Sequence, residues 1–304
     1  RNPASKVIVT GCYAQLDPAL LAAMEGVDAV VGTNEKKKIV SIVQKLLGQE
    51  DTATIQAVHN VLKPDAFEEI PLYPSAVEHT RADLKIQEGC NNFCTYCIIP
   101  YTRGGLKSRQ PDAVIAEAKR LISFGFKELV LTGIHLGAYG KELPEKPTLA
   151  LILRRLLNET DVQRIRLGSV ESLEVDDELI DVMNSSPRIC PHLHLPLQSG
   201  SDAILKAMNR HYTKAEFIEL IRVLRQRIHG LTVSTDLILG FPGETDALFA
   251  ETMETLRLLR FSHIHAFPYS PLFRPFERLP ELLPGLSLAV PLALLVAVLA
   301  WWFV

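Results

Sequence analysis

At 304 residues with 47% hydrophobic content, the chain is long enough for two domains and rich enough for a packed core. A formal net charge of -3 excludes a globally basic nucleic-acid binder, while leaving room for a local basic surface. Five cysteines, an odd number read without a leader peptide, fit poorly with a disulfide framework and point to a reducing compartment, the cytoplasm by default.

Lys6 to Thr10 reads as a buried strand with Gly11-Cys12-Tyr13 at its carboxyl end, where open α/β sheets carry functional groups. Cys12, taken alone, is a small buried residue beside a strand. Asp17 to Met24 reads as a short helix with Asp17 as N-cap and Pro18 at its first position. VDAVVGT supplies another strand, and 35–47 the following helix. Residues 1–47 thus form part of a small β/α domain. The polar, Pro-bearing stretch 48–80 shows no sustained period and reads as a linker.

From 81 to 270 strands and helices alternate. Strands are expected at 83–88, 127–133, 163–168, 192–197, 232–239 and 262–268. Helices are expected at 112–124, 148–158, 177–185, within 202–208, at 213–228 and at 246–259. Alternation of this kind implies a parallel α/β sheet with right-handed crossovers, open or closed into a barrel. Either way, the loops at the carboxyl ends of the strands are the place for a site.

The chemistry concentrates in EGCNNFCTYCIIPY. Cys90, Cys94 and Cys97 stand in a C-x3-C-x2-C pattern, three of the chain's five cysteines within eight residues. Three such thiolates suit three corners of an iron–sulfur cubane, leaving one iron open to chelate S-adenosylmethionine and pass it an electron. The alternatives are a zinc loop, a disulfide with one spare thiol, or buried structural cysteines. No nearby His or Cys after Cys97 supplies the fourth ligand that structural zinc wants.

The loop CNNFCTYCIIPYTRG resembles that of the radical S-adenosylmethionine methylthiotransferases. Further matches follow in order: LTGIHLGAYG at 131–140, HLHLPLQSGSD at 192–202, STDLILGFPGET at 234–245 and HAFPYS at 265–270. IIPYTRG together with TGIHLGAYG is most similar to the branch acting on N6-threonylcarbamoyladenosine at position 37 of tRNA. The resemblance implies a partial (β/α)6 radical-SAM barrel, preceded by the carboxyl-terminal part of a small β/α domain. It implies a [4Fe-4S] cluster on Cys90, Cys94 and Cys97, with S-adenosylmethionine as cofactor. It also makes Cys12 a ligand of a second, auxiliary [4Fe-4S] cluster, whose two other family cysteines lie upstream and are absent here. The partners it implies are tRNA and an electron donor such as flavodoxin or ferredoxin.

The chemistry implied for the complete family protein is hydrogen abstraction from adenine C2 by a 5′-deoxyadenosyl radical, then sulfur insertion, with a second S-adenosylmethionine as methyl source. The present chain is expected to cleave the cofactor and to fail at sulfur insertion. A methylthiotransferase acting on isopentenyladenosine tRNA or on a ribosomal protein is the alternative of the same class.

Around the cluster loop, Tyr96 is expected along the cofactor's adenine, since aromatic faces stack on bases, although a core aromatic is the competing reading. Thr132 and Gly133 end the second barrel strand, where exposed backbone can receive the cofactor's ammonium group. Glu171 can accept from ribose hydroxyls, and Gln198 and Ser199 are expected to line the pocket. Gly240 lies in a loop that lacks the Gly-Lys-Ser/Thr ending of a phosphate loop and resembles the family's adenine-side loop. His135 is given no catalytic role, and Cys190 reads as a structural thiol. Arg103, Lys107, Arg109, Arg210 and His211 are expected to form a basic rim for tRNA phosphates.

The resemblance ends near residue 270. Residues 271–304 are expected as an atypical apolar tail in place of a small RNA-binding β-barrel. No charge occurs from Leu282 to Val304, about the length of a bilayer-spanning helix, though Pro284 and Pro291 weaken a continuous one. A tail anchor on a noncatalytic scaffold and a frame-changed terminus are the two readings. A membrane is a partner only under the first.

Overall fold

The computed structural model describes residues 5–48, 53–63, 66–70 and 80–270. The apolar stretch expected at 271–304 lies outside the described residues. Among them no helix is long and apolar enough to cross a membrane.

The amino-terminal part runs β1 (Ile8–Thr10), α1 (Cys12–Leu16), α2 (Pro18–Ala22), β2 (Ala29–Val31), α3 (Ile39–Gly48) and β3 (Ile55–Ala57). Its three strands are parallel in the order β1-β2-β3. The Asp17 carboxylate accepts from the Leu20 amide at 3.0 Å, with Pro18 opening α2, so the expected cap forms. β3 falls inside the stretch expected to be linker. Ile55 and Ala57 pack against the buried Ala29, Val31, Ile42 and Leu46, but a three-residue strand is too short for its alternation to register as a period.

The larger part follows in chain order: β4 (Arg81–Lys85), β5 (Gln87–Glu88), α4 (Ile99–Arg103), β6 (Lys107–Ser108), α5 (Pro111–Ser123), β7 (Glu128–Thr132), α6 (Leu149–Glu159), β8 (Arg164–Leu167) and α7 (Asp177–Asn184). Then come β9 (His192–His194), α8 (Asp202–Ala207), α9 (Lys214–Arg227), β10 (Thr232–Leu239), α10 (Asp246–Leu259) and β11 (His263–Pro268). β4, β7 and β8 pair in parallel, as do β9, β10 and β11. Parallel bridges Ile165 to Ile189 and Ser169 to His194 join the two halves. Six parallel strands therefore succeed one another in chain order, which is the expected partial (β/α)6 barrel.

The sequence dictates this locally. Four of the crossover helices start on a hydroxyl or carboxylate that accepts an otherwise unpaired amide: Thr148 for α6, Asp176 for α7, Thr213 for α9 and Thr245 for α10. Thr213 and Glu216 complete a reciprocal capping box. The strands are held by one continuous core in which Leu84, Leu129, Leu131, Ile165 and Leu193 are fully buried against Leu121, Leu153, Leu156 and Phe217 of the helices. The antiparallel pair β5–β6, which the strand–helix alternation does not announce, frames the segment 89–106 at the carboxyl end of β4.

Leu131 is 0% exposed, whereas Leu258 on α10 is 62% exposed. Leu131→Ala is therefore expected to cost about 2–5 kcal/mol in urea unfolding and Leu258→Ala less than about 0.5 kcal/mol. Equal losses at the two positions contradict this placement of the core.

Candidate active site

The cysteine loop is shaped by contacts that leave its backbone little choice. Gly89 adopts φ +73°, and a β-carbon there would lie 1.8 Å from the Gly105 carbonyl oxygen, so no other residue fits. The Cys90 amide donates to the Gly104 carbonyl at 3.1 Å and the Cys97 amide to the Cys94 carbonyl at 2.9 Å. Phe93 sits at φ 48°, a strained position for a non-glycine residue. The Asn209 side-chain amide, donating to the Asn92 and Phe93 carbonyls at 3.2 Å each, holds it there. The Thr95 amide and hydroxyl add bonds to the carbonyls of Met208 and Ala207.

All five cysteines are free thiols. Cys94 is buried, Cys90 and Cys97 half-buried, and burial pushes the Cys97 thiol up to about 11. Among the described residues the one set of three metal-ligating atoms lying within 4.8 Å of one another is elsewhere, at His194, Asp236 and His265. Cys90, Cys94 and Cys97 do not form such a set. A cubane, with each thiolate on a different iron, suits this all-sulfur donor set of three.

Two cationic side chains approach these sulfurs. His135 Nδ1 lies 3.6 Å from Cys90 Sγ, and its Nε2 pairs with Glu174 at 2.9 Å. Burial works against a charge on His135, but Cys90 and Glu174 outweigh it and raise its pKa to about 9. Arg210 Nη1 reaches Cys94 Sγ and the Tyr96 hydroxyl at 3.5 Å each. Its guanidinium forms a two-pronged ion pair with Glu171, and the Arg210 side chain is 4% exposed.

Four of the expected site residues, Cys94, Glu171, Tyr96 and Gln198, divide between two clefts. One, about 330 Å³, is lined by Cys94, His135, Glu171, Glu174 and Arg210. The other, about 320 Å³, is lined by Tyr96, Gln198, Asp236, Ile238 and residues 267–270. Both volumes suit part of a small molecule. Tyr96 also packs with Ile204, Met208 and Phe241, so it serves as core aromatic and cleft wall together. Gln198, at φ 65°, bridges to Leu237 through its backbone and lines this second cleft.

Several expectations change. Ser199 lines neither cleft: it is 1% exposed, with its hydroxyl 3.3 Å from that of Thr252 on α10. The close approach that Gly133 permits is to Gln87, whose side chain lies about 3 Å from where a β-carbon would stand and accepts from the His135 amide at 2.7 Å. The Thr132 carbonyl already accepts from the Ile86 amide at 3.0 Å. Gly240 is exposed, its amide donating to Glu244 at 2.7 Å, while Phe241 of its loop shares an apolar cluster with Tyr96. Cys190 is buried and accepts from Arg164 at 2.9 Å, as a structural thiol does.

The basic rim is the largest correction. Arg103 pairs with Glu88 at 2.6 Å, Lys107 donates to Asn34 at 2.9 Å, Arg109 donates to Glu69 at 3.0 Å and Arg210 pairs with Glu171. These cations turn inward to internal partners, and of the expected rim only His211 is exposed. Burial opposes the charge on Glu88, but Lys85 and Arg103 overcome it and hold the carboxyl at about 2. Arg103 also donates to Cys12 Sγ at 3.2 Å, while Thr33 donates to the Thr102 carbonyl at 2.6 Å. These bonds dock the amino-terminal part on α4, beside the cysteine loop.

Against known proteins, a model of the Radical SAM superfamily matches residues 84–256. Threonylcarbamoyladenosine tRNA methylthiotransferase MtaB of Bacillus subtilis is 44% identical over 270 residues, covering 89% of this chain and 59% of that protein. Its counterpart from Aquifex aeolicus is 38% identical over 287 residues, covering 94% of this chain and 68% of that one. A tRNA-2-methylthio-N(6)-dimethylallyladenosine synthase of Thermoanaerobacter sp. is 40% identical over 275 residues, 89% of this chain and 57% of the relative. The chain thus spans roughly three fifths of the length of the curated relatives it matches. Among solved structures, the radical enzyme OxsB (apo form) aligns with TM-score 0.54 at 14% identity, over 83% of this chain and 39% of that one. The radical methyltransferase TsrM from Kitasatospora setae aligns with TM-score 0.51 at 18% identity, over 61% and 36%. Both likenesses concern the fold alone. The matched core, the barrel order and the three-cysteine loop at its carboxyl-terminal rim agree: the chain belongs to the Radical SAM superfamily, within its methylthiotransferases.

Proposed function

We propose that this chain carries the cofactor-cleaving core of a tRNA methylthiotransferase that acts on C2 of N6-threonylcarbamoyladenosine at position 37. The observation that carries the reading is the convergence of Cys94, Glu171, Arg210 and His135 on one cleft beside Cys90. The substrate is supported by the relatives' names, with a threonylcarbamoyladenosine enzyme at 44% identity and a dimethylallyladenosine enzyme at 40%.

A [4Fe-4S] cluster on Cys90, Cys94 and Cys97 would supply the electron that reductively cleaves S-adenosylmethionine. The chain's own residues do the rest. Glu171 is presented as an acceptor, because the Arg210 fork fixes both its oxygens, and its remaining lone pairs suit ribose hydroxyls. Arg210 is thereby a positioning residue. His135, oriented by Glu174, holds a proton toward the Cys90 sulfur. Tyr96 and Gln198 offer a flat aromatic face and an amide where a base can stack and bond. Cys12, tied to Arg103, is the residue we assign to an auxiliary cluster. A low-potential electron donor such as flavodoxin or ferredoxin and tRNA complete the partners of this reading.

Removing the fork leaves Glu171 without its partner. Arg210→Ala in the anaerobically reconstituted protein is expected to weaken S-adenosylmethionine binding roughly tenfold or more, measured by equilibrium dialysis. An unchanged affinity removes Arg210 from the account. For the substrate, deletion of the gene should eliminate the 2-methylthio derivative of threonylcarbamoyladenosine from digested tRNA, read by mass spectrometry. Loss of the dimethylallyladenosine derivative instead, or of a ribosomal-protein modification, overturns the assignment.

A further inference from the structure

Four of the chain's nine histidines, His192, His194, His263 and His265, lie on β9 and β11, on either side of Ser234 and Asp236 of β10. We propose that His194, Asp236 and His265 form a second metal site, taking a divalent transition ion of the zinc class, distinct from the three cysteines.

Register brings the three together. Asp236 stands directly opposite His265 across the β10–β11 ladder, and Ser234 opposite His194 across β9–β10. Ser234 and Asp236 are two residues apart on one strand, so both project to the same face of the sheet. One ligand atom from each of His194, Asp236 and His265 falls within 4.8 Å of the others, and His194 Nε2 lies 3.0 Å from Asp236 Oδ2. An ion with bonds of about 2.1 Å holds tetrahedral ligands about 3.4 Å apart, so small side-chain rotations close the set.

The surroundings are those of a metal-binding imidazole. Ser234 Oγ lies 2.9 Å from His194 Nδ1, an outer partner that orients the ring and leaves Nε2 toward Asp236. The His194 and His265 rings meet at 5.6 Å between centroids, edge to face. Two imidazoles and one carboxylate form the donor set used for ions that keep an open position. That opening has somewhere to face, because Asp236 also lines the cleft shared with Tyr96 and Gln198. An ion here would present its vacant position to whatever enters that cleft. The competing arrangement is a bare His194–Asp236 hydrogen bond with no ion.

The test uses the full-length chain carrying Cys90→Ser, Cys94→Ser and Cys97→Ser, titrated with Co²⁺ under anaerobic conditions. One equivalent should bind, with visible d–d bands and no thiolate charge-transfer band. Asp236→Asn or His265→Ala in that background should weaken binding at least about tenfold, while His263→Ala should leave it unchanged. In parallel, the cluster-loaded wild type dialysed against Zn²⁺ should retain one zinc per chain beyond its iron, and lose it on His265→Ala. This arm holds even where the triple variant fails to fold. Absence of stoichiometric zinc in the loaded wild type overturns the proposal. So does a cobalt spectrum with thiolate charge transfer, or binding indifferent to Asp236→Asn. None of these readouts depends on the tRNA substrate.

Discussion

The structure turns on how a short, strained loop is held still at the rim of the barrel. Gly89 against Gly105, the Cys90 amide on Gly104 and the Asn209 amide on Phe93 fix the backbone between the three thiols. A loop carrying three soft ligands is useful only if those ligands stay apart in one geometry. Free thiols in a mobile loop would collapse on a single ion or oxidise. The strain at Phe93 persists because contacts from both sides over-determine it.

Electrostatics then decide what surrounds the loop. Charges that a solvated surface would spread outward are drawn in around the sulfurs: Arg210 with Glu171, His135 with Glu174, and Arg103 between Glu88 and Cys12. Each cation is paired, which keeps the cost of burial in check. Arg103 adds a mechanical role, since it joins the cysteine loop's own strand to the amino-terminal part through one guanidinium. The inward turn of these residues leaves His211 as the one exposed member of the expected basic rim.

Much of this architecture was legible in the sequence for a local reason. β7 and β10 carry apolar runs, Leu129-Val130-Leu131 and Leu237-Ile238-Leu239, that close on a Thr or Gly, and several helices announce themselves with Thr or Asp at the cap, as at Thr148 and Asp176. The three-residue β3, with Gln56 at its centre, carries no such signal and passed for linker. The site was less legible than the fold. The cysteines lie within eight residues, but the groups that condition them come from 45 and 116 residues away, as His135 and Arg210 do. Nothing in NRHYT says that its arginine is buried, so it passed for a surface charge. Ser199 likewise looked like a pocket residue because a strand end is where pockets form, whereas its hydroxyl turns into the helix behind. The alternating histidines of HLH and HIH were visible, but only the strand register shows them meeting across Asp236.

The central claim is that Cys90, Cys94 and Cys97 hold a cubane with one iron left open. Electron paramagnetic resonance of the dithionite-reduced, anaerobically reconstituted chain, recorded with and without S-adenosylmethionine, tests it most directly. The account predicts a reduced-cluster signal whose g-values shift on adding the cofactor and which is lost when the three cysteines are replaced. A signal indifferent to the cofactor, or one that survives the replacement, would contradict it.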